Sequence, residues 1–422
     1  MDFSLSPSLL ELKQRTAAFI QDYVIPEEGH GDEHTILSAE KLGALRNRAR
    51  EAGLYVPHVE KTWGGLGLDM REQSVVFEEA GHSLIGPLAL NCSAPDEGNM
   101  HLLEVVATEQ QKERYLRPLV AGEIRSCFAM TEPPPGAGAD PSLLQTTATR
   151  RGTDWVINGD KWYISGADGA SFAICMARTD TGETATGHQP RASMFLIELP
   201  NPGFQIVRQI PSLDGASVGG HCEVVVRDCV VSEDAVLGEV GEGFKYAQVR
   251  LAPARLTHCM RWLGIAQRSL DIAVQYANTR ESFGQQLGRH QMVASMIADS
   301  ATDIHSARLM IWHAAWILDT GGNGKYETSM AKTYVAEAVN RVVDRSVQIC
   351  GSHGIATDLP LSTFYRVVRP FRIYDGPSEV HRSVIARKIL KEAAATALHD
   401  ERPREGNVSN FKQNRARHGE DL

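Results

Sequence analysis

The chain has 422 residues, of which 42% are hydrophobic and 23% are charged. This composition is typical of a globular protein, and the length suits two or three domains with a large buried core. The formal net charge of -9 and a pI near 5.9 argue against a nucleic-acid partner, which needs a basic surface. The net charge does not exclude a local basic patch that binds a phosphorylated ligand.

The seven cysteines are odd in number, are scattered along the chain and form no Cys-x-x-Cys pair. Such thiols are typical of buried side chains in a reducing compartment rather than of a disulfide framework. No apolar run reaches the roughly 18 residues of a membrane-spanning helix. Residues 1–12 lack the basic and then apolar pattern of a secretory signal. We therefore expect a cytoplasmic protein without a membrane span.

Helical periodicity dominates the first part of the chain. Ser6 and Pro7 suit the N-cap and the first position of a helix, and apolar residues then recur at helical spacing up to Ile20. Similar helical patterns follow at 39–52, 69–84 and 109–120. We predict an N-terminal α-helical domain over residues 1–124.

Short β-branched and aromatic runs, separated by Gly, Asp and Asn, characterise the chain from about Arg125 onward. Asn158-Gly159 lies between two of these runs and is a strong signal for a tight hairpin. We predict a middle antiparallel β domain over residues 125–240.

The helical period returns after Gly243. Pro253 lies inside the first long helical stretch, at 243–278, and we expect it to break or kink that helix. Further helical patterns cover 289–319, 325–350 and 379–396. We predict a C-terminal four-helix bundle over 241–397 and a polar, disordered tail over 398–422. The predicted fold class is α+β, with the regions in the order α, β, α.

Two segments of the β region are suited to hold a flat ring. Residues 128–133 read as a strand that runs into a Pro/Gly-rich loop, and such a strand end offers main-chain hydrogen-bonding groups to a heterocycle. Tyr163 and Ser165 are two positions apart, which in a strand puts both on one side of the sheet. The ordinary alternatives are a strand with a surface loop, and a core aromatic beside a turn serine.

A cation and an aromatic follow the first long helical stretch. Arg280, with Phe283 three residues later and Gln291 on the next helix, suits a pyrophosphate and an adenine. A solvated arginine at a helix C-terminus is the ordinary alternative. Gln348 and Gly351 belong to a helix that ends in a glycine-bearing loop, where the backbone either approaches a ligand or caps the helix.

Metal and Rossmann-type sites are not expected. His353 has no second ligand at metal spacing, and the sequence has no His-Glu-x-x-His or Walker A motif. The expected all-β middle domain also leaves no βαβ unit for a dinucleotide fingerprint.

A carboxylate at Asp375 is framed by Tyr374 on one side and by Gly376-Pro377 on the other, with Glu379 four residues later. A carboxylate held in this way beside a ligand can serve as a general base. The ordinary alternative is an aspartate that only forms a turn.

Taken together and at these separations, the segments resemble the acyl-CoA dehydrogenase family over about residues 10–395. The family pattern combines an aromatic-x-Met/Val-Thr-Glu-Pro strand, Lys-x-Trp-Ile-Thr, Arg-x-x-Phe-Gly, Gln-x-x-Gly-Gly-x-Gly and Tyr-Glu-Gly-Thr-x-Glu. A narrower likeness, in residues 91–100, 258–261 and 375–381, is to the branch whose animal members carry a kinase-like domain fused upstream. The resemblance implies the α-β-α architecture, FAD as the cofactor and an acyl-CoA as the substrate.

The resemblance also implies roles for individual residues. Main-chain atoms of Phe128, Met130 and Thr131 are expected to meet the flavin, with Tyr163 over one ring face and Ser165 near N5. The matching residues on the substrate side are Arg255, Ala139 and Tyr374. The other cofactor-binding positions are Arg280, Phe283, Gln291, Gln348, Gly351, Pro377 and Glu379. In the family some of these serve the cofactor of a neighbouring subunit, which implies a homo-oligomer, either a dimer or a tetramer.

Asp375 falls on the catalytic glutamate of the family, while the other known base position matches Ala254, which cannot accept a proton. The implied reaction is removal of the α-proton by Asp375 as a hydride leaves the β-carbon for flavin N5. The product is a trans-2-enoyl-CoA, and the electrons pass to an electron-transferring flavoprotein. Burial under the acyl chain is expected to raise the pKa of the carboxylate.

Aspartate in place of glutamate is the main departure from the family and shortens the base by about 1.5 Å. A relative that oxidises nitroalkanes also uses aspartate. The alternative activity is therefore a flavin oxidase that uses O2, with a nitroalkane or an acyl-CoA as substrate. A non-catalytic binding protein that kept the fold is a further alternative, and the acyl group itself stays open.

Overall fold

The computed structural model describes residues 4–29, 37–179, 191–215 and 218–400, with side chains up to residue 395. The first region is helical, and Ser6 Oγ caps its first helix by accepting from the Leu9 amide at 3.2 Å. The helices are α1 (Pro7–Phe19), α2 (Ala39–Glu51), α3 (Met70–Ala80), α4 (Gly86–Ala89), α5 (Asp96–Val106), α6 (Glu109–Gln111) and α7 (Arg117–Ala121), with π-helical turns at Ile20–Val24 and Lys112–Leu116.

An eight-stranded sheet forms the middle region. Its strands are β1 (Ser126–Ala129), β2 (Thr147–Arg151), β3 (Asp154–Ser165), β4 (Phe172–Arg178), β5 (Ala192–Glu198), β6 (Phe204–Gln209), β7 (His221–Ser232) and β8 (Val236–Leu237). The order is β6-β7-β3-β2-β4-β5-β8, with β1 beside β4. The pairs β1–β4 and β2–β4 are parallel, and the other strand pairs of this sheet are antiparallel.

The central strand β4 is buried on both faces. Phe172, Ile174 and Met176 belong to the hydrophobic core that the sheet shares with the helices. Ala173 and Cys175, which alternate with them, face a second core inside the β region. The period-two alternation of a strand therefore connects the two cores, and the sheet packs against the helical regions instead of standing apart from them.

The hairpin predicted at Asn158-Gly159 is wrong. β3 passes through both residues as one strand and pairs with β7 on either side of a bulge between Ile157 and Gly159. Asn158 Oδ1 accepts from the Asp228 amide on β7 at 2.8 Å. A Cβ at Gly159 would lie 2.3 Å from Thr146 Oγ1, so this glycine permits a close approach of the chain and does not form a turn.

The last region is helical, and α8 continues through Pro253 as one helix, so of the predicted break or kink the break does not occur. Its helices are α8 (Gly243–Thr279), α9 (Gln291–Asp319), α10 (Lys325–Cys350), α11 (Ser352–Ile355), α12 (Leu361–Val368) and α13 (Ser378–Asp400), and the short strands β9 (Glu281–Ser282) and β10 (Gln285–Gln286) connect α8 to α9. The predicted α+β class and the α-β-α order are confirmed. Of the predicted tail, residues 398–400 continue α13, and 401–422 lie outside the described residues.

Buried ion pairs join the two helical regions. Arg268 on α8 contacts Glu28 at 2.8 Å, and Arg308 Nε on α9 donates to Glu78 on α3 at 3.0 Å. These contacts fix α8 and α9 against the N-terminal region. Among the described residues, we find no helix both long and apolar enough to span a bilayer.

A buried ion pair also closes the β region. Lys161 and Glu132 are 0% and 3% exposed, and Lys161 Nζ lies 3.0 Å from Glu132 Oε1. The same Nζ donates to the carbonyl oxygens of Met130 and Met176, and Glu132 accepts from the Thr146 amide at 2.9 Å. Glu132 of the Thr-Glu-Pro motif therefore holds the strand ends together.

The change Lys161→Met leaves the Glu132 charge buried without its cation, and we expect it to lower the free energy of unfolding by about 3–5 kcal/mol. A second change, Glu132→Gln, should recover part of that loss. Denaturant unfolding followed by tryptophan fluorescence measures both effects. Arg208→Met breaks the exposed pair with Glu223 and serves as control, with an expected loss below about 1 kcal/mol. Equal losses for the lysine and arginine variants would contradict the structural role.

Candidate active site

Asp375 lies in a loop, residues 373–377, whose backbone is in an unusual conformation. Asp375 has φ +52° and Gly376 has φ +97°, so two successive residues are in the left-handed half of conformational space. A Cβ at Gly376 would lie 2.6 Å from His381 Nε2. Position 376 therefore needs glycine both for its φ angle and for lack of space.

Side chains from three helices hold the backbone of this loop. Arg255 Nε on α8 donates to the Asp375 carbonyl oxygen at 3.0 Å, and His381 Nε2 on α13 donates to the same oxygen at 3.2 Å. Lys332 Nζ on α10, fully buried, donates to the Gly376 carbonyl oxygen in the loop at 3.5 Å and to the Phe371 carbonyl oxygen just before it at 2.5 Å. The position of the Asp375 Cα is thus set from several directions, which is the pre-organisation that a catalytic base requires.

His258 on α8 contacts the carboxylate of Asp375 directly. Its Nε2 lies 3.0 Å from Asp375 Oδ2, and the two side chains are 13% and 19% exposed. One turn further along the helix, Trp262 Nε1 donates to the Tyr374 hydroxyl. Residues 255, 258 and 262 follow helical spacing, so one face of α8 contacts this loop.

The positive and hydrogen-bonding groups around Asp375 decide its protonation. Burial raises the pKa of the carboxyl group. The hydrogen bond from His258 and the charges of Arg250 and Arg255 outweigh burial, so the pKa lies well below the usual range. Asp375 is therefore ionised at neutral pH in the protein alone. The rise in pKa expected under a bound acyl chain stays a prediction.

Arg250 connects this carboxylate to the strand that begins the β region. Its guanidinium carbon lies 4.2 Å from the centre of the Phe128 ring, and its Nε donates to Asn99 Oδ1 on α5 at 2.7 Å. Arg250 is 7% exposed. We missed this residue in the sequence, although an arginine at a buried position of a helical repeat is itself a signal.

The two segments predicted to hold a flat ring meet in the structure. Thr131 Oγ1 donates to the Trp162 carbonyl oxygen at 2.7 Å, which joins the end of β1 to the end of β3. Tyr163 has φ +51° in an irregular stretch between Lys161 and Ile164, and its side chain is 50% exposed. The register of β3 against β7 shifts there, so regular strand geometry no longer supports the argument for Tyr163 and Ser165, and their shared side stays a prediction.

Ser165 has a partner of its own inside the β region. Its Oγ lies 2.8 Å from His221 Nδ1, and His221 Nε2 lies 3.1 Å from Asp214 Oδ2. To contact a ligand, the Ser165 hydroxyl must either keep its hydrogen bond to His221 at the same time or rotate away from His221.

Arg280 and Phe283, beyond the end of α8, lie far from Asp375 within one chain, whereas Pro377 and Glu379 follow Asp375 closely. Arg280 follows α8 directly, 25 residues beyond Arg255, which at 1.5 Å per residue is about 37 Å along the helix. Phe283 is 98% exposed, and the Glu379 side chain is 78% exposed. Also on the surface are Ala139, Arg280, Gln291, Gln348 and Gly351.

These side chains fit FAD in their chemistry. The half-exposed Tyr163 offers a flat face beside the joined strand ends. Arg280 and Phe283 offer a cation for a pyrophosphate and a ring for an adenine. Pro377, partly buried, lies between Asp375 and the start of α13. Within the described ranges, no group of three or more His, Cys, Asp or Glu side chains is arranged to hold a metal ion.

Sequence models of three domains match the chain in order. They describe the acyl-CoA dehydrogenase N-terminal domain at residues 6–123, the middle domain at 127–229 and the C-terminal domain at 241–390. The chain belongs to the acyl-CoA dehydrogenase family. It is therefore an oxidoreductase of the family that dehydrogenates acyl-CoA with FAD, and the predicted resemblance, enzyme class and cofactor are confirmed.

Named relatives agree with this assignment. The chain is 37% identical over 406 residues to the protein named Probable acyl-CoA dehydrogenase FadE2 of Mycobacterium tuberculosis, covering 94% of this chain and 98% of that one. It is 35% identical to human acyl-CoA dehydrogenase family member 11, over 89% of this chain and 49% of the relative. The chain thus spans about half the length of this relative and of its chicken and rat counterparts, and 37% of mouse acyl-CoA dehydrogenase family member 10.

Solved structures agree as well. A Mycobacterium abscessus protein provisionally assigned as an acyl-CoA dehydrogenase superimposes with a TM-score of 0.86 at 34% identity, over 93% of this chain and all of that one. The FAD complex of PigA superimposes with a TM-score of 0.81 at 26% identity, over 92% and 99% of the two chains.

The change Gly376→Ala should displace Asp375, because the added Cβ meets His381 at 2.6 Å and φ is +97°. We expect the rate of flavin reduction by acyl-CoA to fall about a hundredfold, the typical result of a shift of about 1 Å. Gly64→Ala is the matched control, since φ there is +101° and the nearest atom is 3.8 Å away. Stopped-flow absorbance measures both rates, and equal losses would mean that backbone strain alone is responsible.

Proposed function

We propose that the protein catalyses the α,β-dehydrogenation of an acyl-CoA thioester, with Asp375 as the base that removes the α-proton. The observation that supports the proposal is an ionised, buried carboxylate at the position of the family's catalytic residue. Its backbone is held by Arg255 and His381, and its side chain is held by His258. Such a group is both deprotonated and fixed in place before substrate binds.

The α-proton of a thioester is weakly acidic, so a base with a low pKa is a poor match in the free protein. The acyl chain would exclude water from the Asp375 carboxylate as it binds. Desolvation then acts in the direction that raises the pKa and brings it closer to that of the carbon acid. Bound FAD supplies the acceptor for the hydride that leaves the β-carbon. Asp375 keeps the proton until the product has left.

We further propose that the enzyme is a homo-oligomer, a dimer or a tetramer, whose subunits share cofactor sites. About 37 Å of helix separates Arg255 from Arg280, so the two ends of α8 cannot both contact one ring system. Phe283, almost fully exposed, would be covered by the adenine side of a neighbouring subunit's cofactor. Gln291, Gln348 and Gly351 are assigned to the same part of that cofactor.

We propose an electron-transferring flavoprotein as the acceptor of the electrons, as in the family pattern. The alternative is an oxidase that uses O2. The two predict opposite behaviour of the reduced enzyme: a dehydrogenase is reoxidised slowly by O2 and rapidly by a dye or a flavoprotein. The cytoplasmic location and the acyl chain stay predictions, and an anaerobic panel of acyl-CoA thioesters is the experiment that identifies the chain.

The change Asp375→Asn keeps the size of the side chain and removes the base. We expect the purified variant to retain yellow FAD, while its bleaching by acyl-CoA slows by a factor of about 10²–10⁴. Anaerobic absorbance measurements follow the bleaching directly. Asp271→Asn, on the exposed face of α8, is the control and should bleach at the unmodified rate. Normal turnover by Asp375→Asn would show that another group is the base.

The change Arg280→Ala removes the cation assigned to the neighbouring pyrophosphate. We expect FAD to be retained roughly tenfold to a hundredfold less tightly, the worth of a hydrogen bond to a charged group. The oligomer should lose stability together with the cofactor. Flavin content after gel filtration and light scattering measure the two effects. Arg227→Ala, an exposed arginine on β7, is the control, and unchanged flavin content in Arg280→Ala would count against shared sites.

A further inference from the structure

We propose that His258 is a positioning residue for Asp375, and that Arg261 fixes the histidine tautomer on which this role depends. The inference rests on the proposed function, because it gives Asp375 the role of base. It assigns roles to His258 and Arg261. These roles follow from the contacts that the two residues make in the structure and not from their sequence pattern.

The tautomer of His258 follows from its two contacts. Arg261 Nη2 lies 3.1 Å from His258 Nδ1, and a guanidinium nitrogen can only donate a hydrogen bond. Nδ1 must therefore accept and carries no proton. The ring proton is then on Nε2, which donates to Asp375 Oδ2 at 3.0 Å. A doubly protonated ring would place an N–H against the guanidinium N–H.

Arg261 is itself held in place by the N-terminal helices. Its Nη1 donates to the Cys92 carbonyl oxygen at 2.8 Å and lies 3.6 Å from Glu97 Oε2 on α5. Thr257 Oγ1 donates to the other Glu97 oxygen at 3.1 Å. Arg261 and Glu97 are 7% and 2% exposed. A series of buried contacts thus extends from α5 through Arg261 and His258 to the base.

This arrangement divides the two oxygens of Asp375 between two tasks. Oδ2 accepts from His258, which leaves Oδ1 to approach the substrate. During the reaction the proton moves from the α-carbon to Oδ1, while Oδ2 continues to accept from Nε2. His258 therefore neither changes its protonation nor moves. Burial and the Arg261 charge lower the pKa of His258 and outweigh the carboxylate, which keeps the ring neutral.

His258 also packs against Tyr374 and Phe371, at ring distances of 5.0 and 6.2 Å. A histidine that only fills space is thus the competing explanation, and the experiment has to separate it from positioning. His258→Leu keeps much of the volume and removes the donor. His258→Gln keeps a donor at a similar reach.

Without the donor, the pKa of Asp375 rises, so the acid limb of the rate profile moves to higher pH. We expect a shift of roughly one to two pH units in His258→Leu, with a lower kcat and little change in KM. The groups that still face Asp375 are Arg250 and Arg255 on α8, Lys332 on α10, His381 on α13 and Tyr374 beside it. These stay in place in the variant, and His258→Gln should restore most of the rate and the original acid limb.

A spectroscopic measurement on the unmodified holoenzyme tests the tautomer directly. The ¹³C and ¹⁵N shifts of labelled histidines, with His258 assigned by its loss in His258→Gln, should show an Nε2–H ring from pH 6 to 8. Arg261→Met should release part of the population to the Nδ1–H form. An Nδ1–H or doubly protonated ring in the unmodified enzyme would overturn the proposal, as would an unshifted acid limb in a folded His258→Leu.

These results separate the inference from the proposed function. If Asp375→Asn abolishes bleaching while His258→Leu behaves as the unmodified enzyme, Asp375 is the base and His258 only packs. If Asp375→Asn turns over normally, the proposed function fails first, whatever tautomer His258 adopts. If His258→Leu does not fold, the NMR result and the His258→Gln profile still decide.

Discussion

The charge of Asp375 is the constraint on which the rest of the site depends. A carboxylate among buried aromatic rings would take up a proton unless other groups stabilise its ionised form. Helix α8 supplies those groups from one face: His258 reaches the carboxylate and Arg255 the carbonyl oxygen of the same residue. Helix α8 continues through Pro253, and its ion pair with Glu28 of the N-terminal region helps to hold that face in place.

The family, the architecture and the position of the carboxylate could be predicted because their signals are local. Helical periodicity spans a few turns, and the aromatic, glycine and acidic residues around position 375 are adjacent in sequence. The partners of the carboxylate could not be derived in this way. Arg255 and Asp375 are 120 positions apart, and Arg261 and Cys92 are 169 apart. In the sequence, residues 258–261 showed only a likeness to one branch of the family. The folded structure shows what these residues contact.

The differences between the structure expected from the sequence and the observed course of β3 have a common physical origin in tertiary pairing. Asn158-Gly159 has the composition of a hairpin, yet β7 runs alongside β3 for its whole length and pulls both residues into the strand. Tyr163 has the spacing of a regular strand, yet its backbone is left-handed and the register with β7 shifts around it. At both positions the pairing with β7, a strand distant in sequence, departs from what the local sequence favours.

The seven cysteines are all reduced and buried. Burial raises the pKa of the Cys92 and Cys259 thiols to about 12, so almost none of either is thiolate at physiological pH. These two thiols are therefore unreactive toward electrophiles as long as the protein stays folded. The rate at which an alkylating reagent modifies these sulfurs therefore measures how often the structure opens. Loss of activity under mild oxidation would have to arise at residues other than these cysteines.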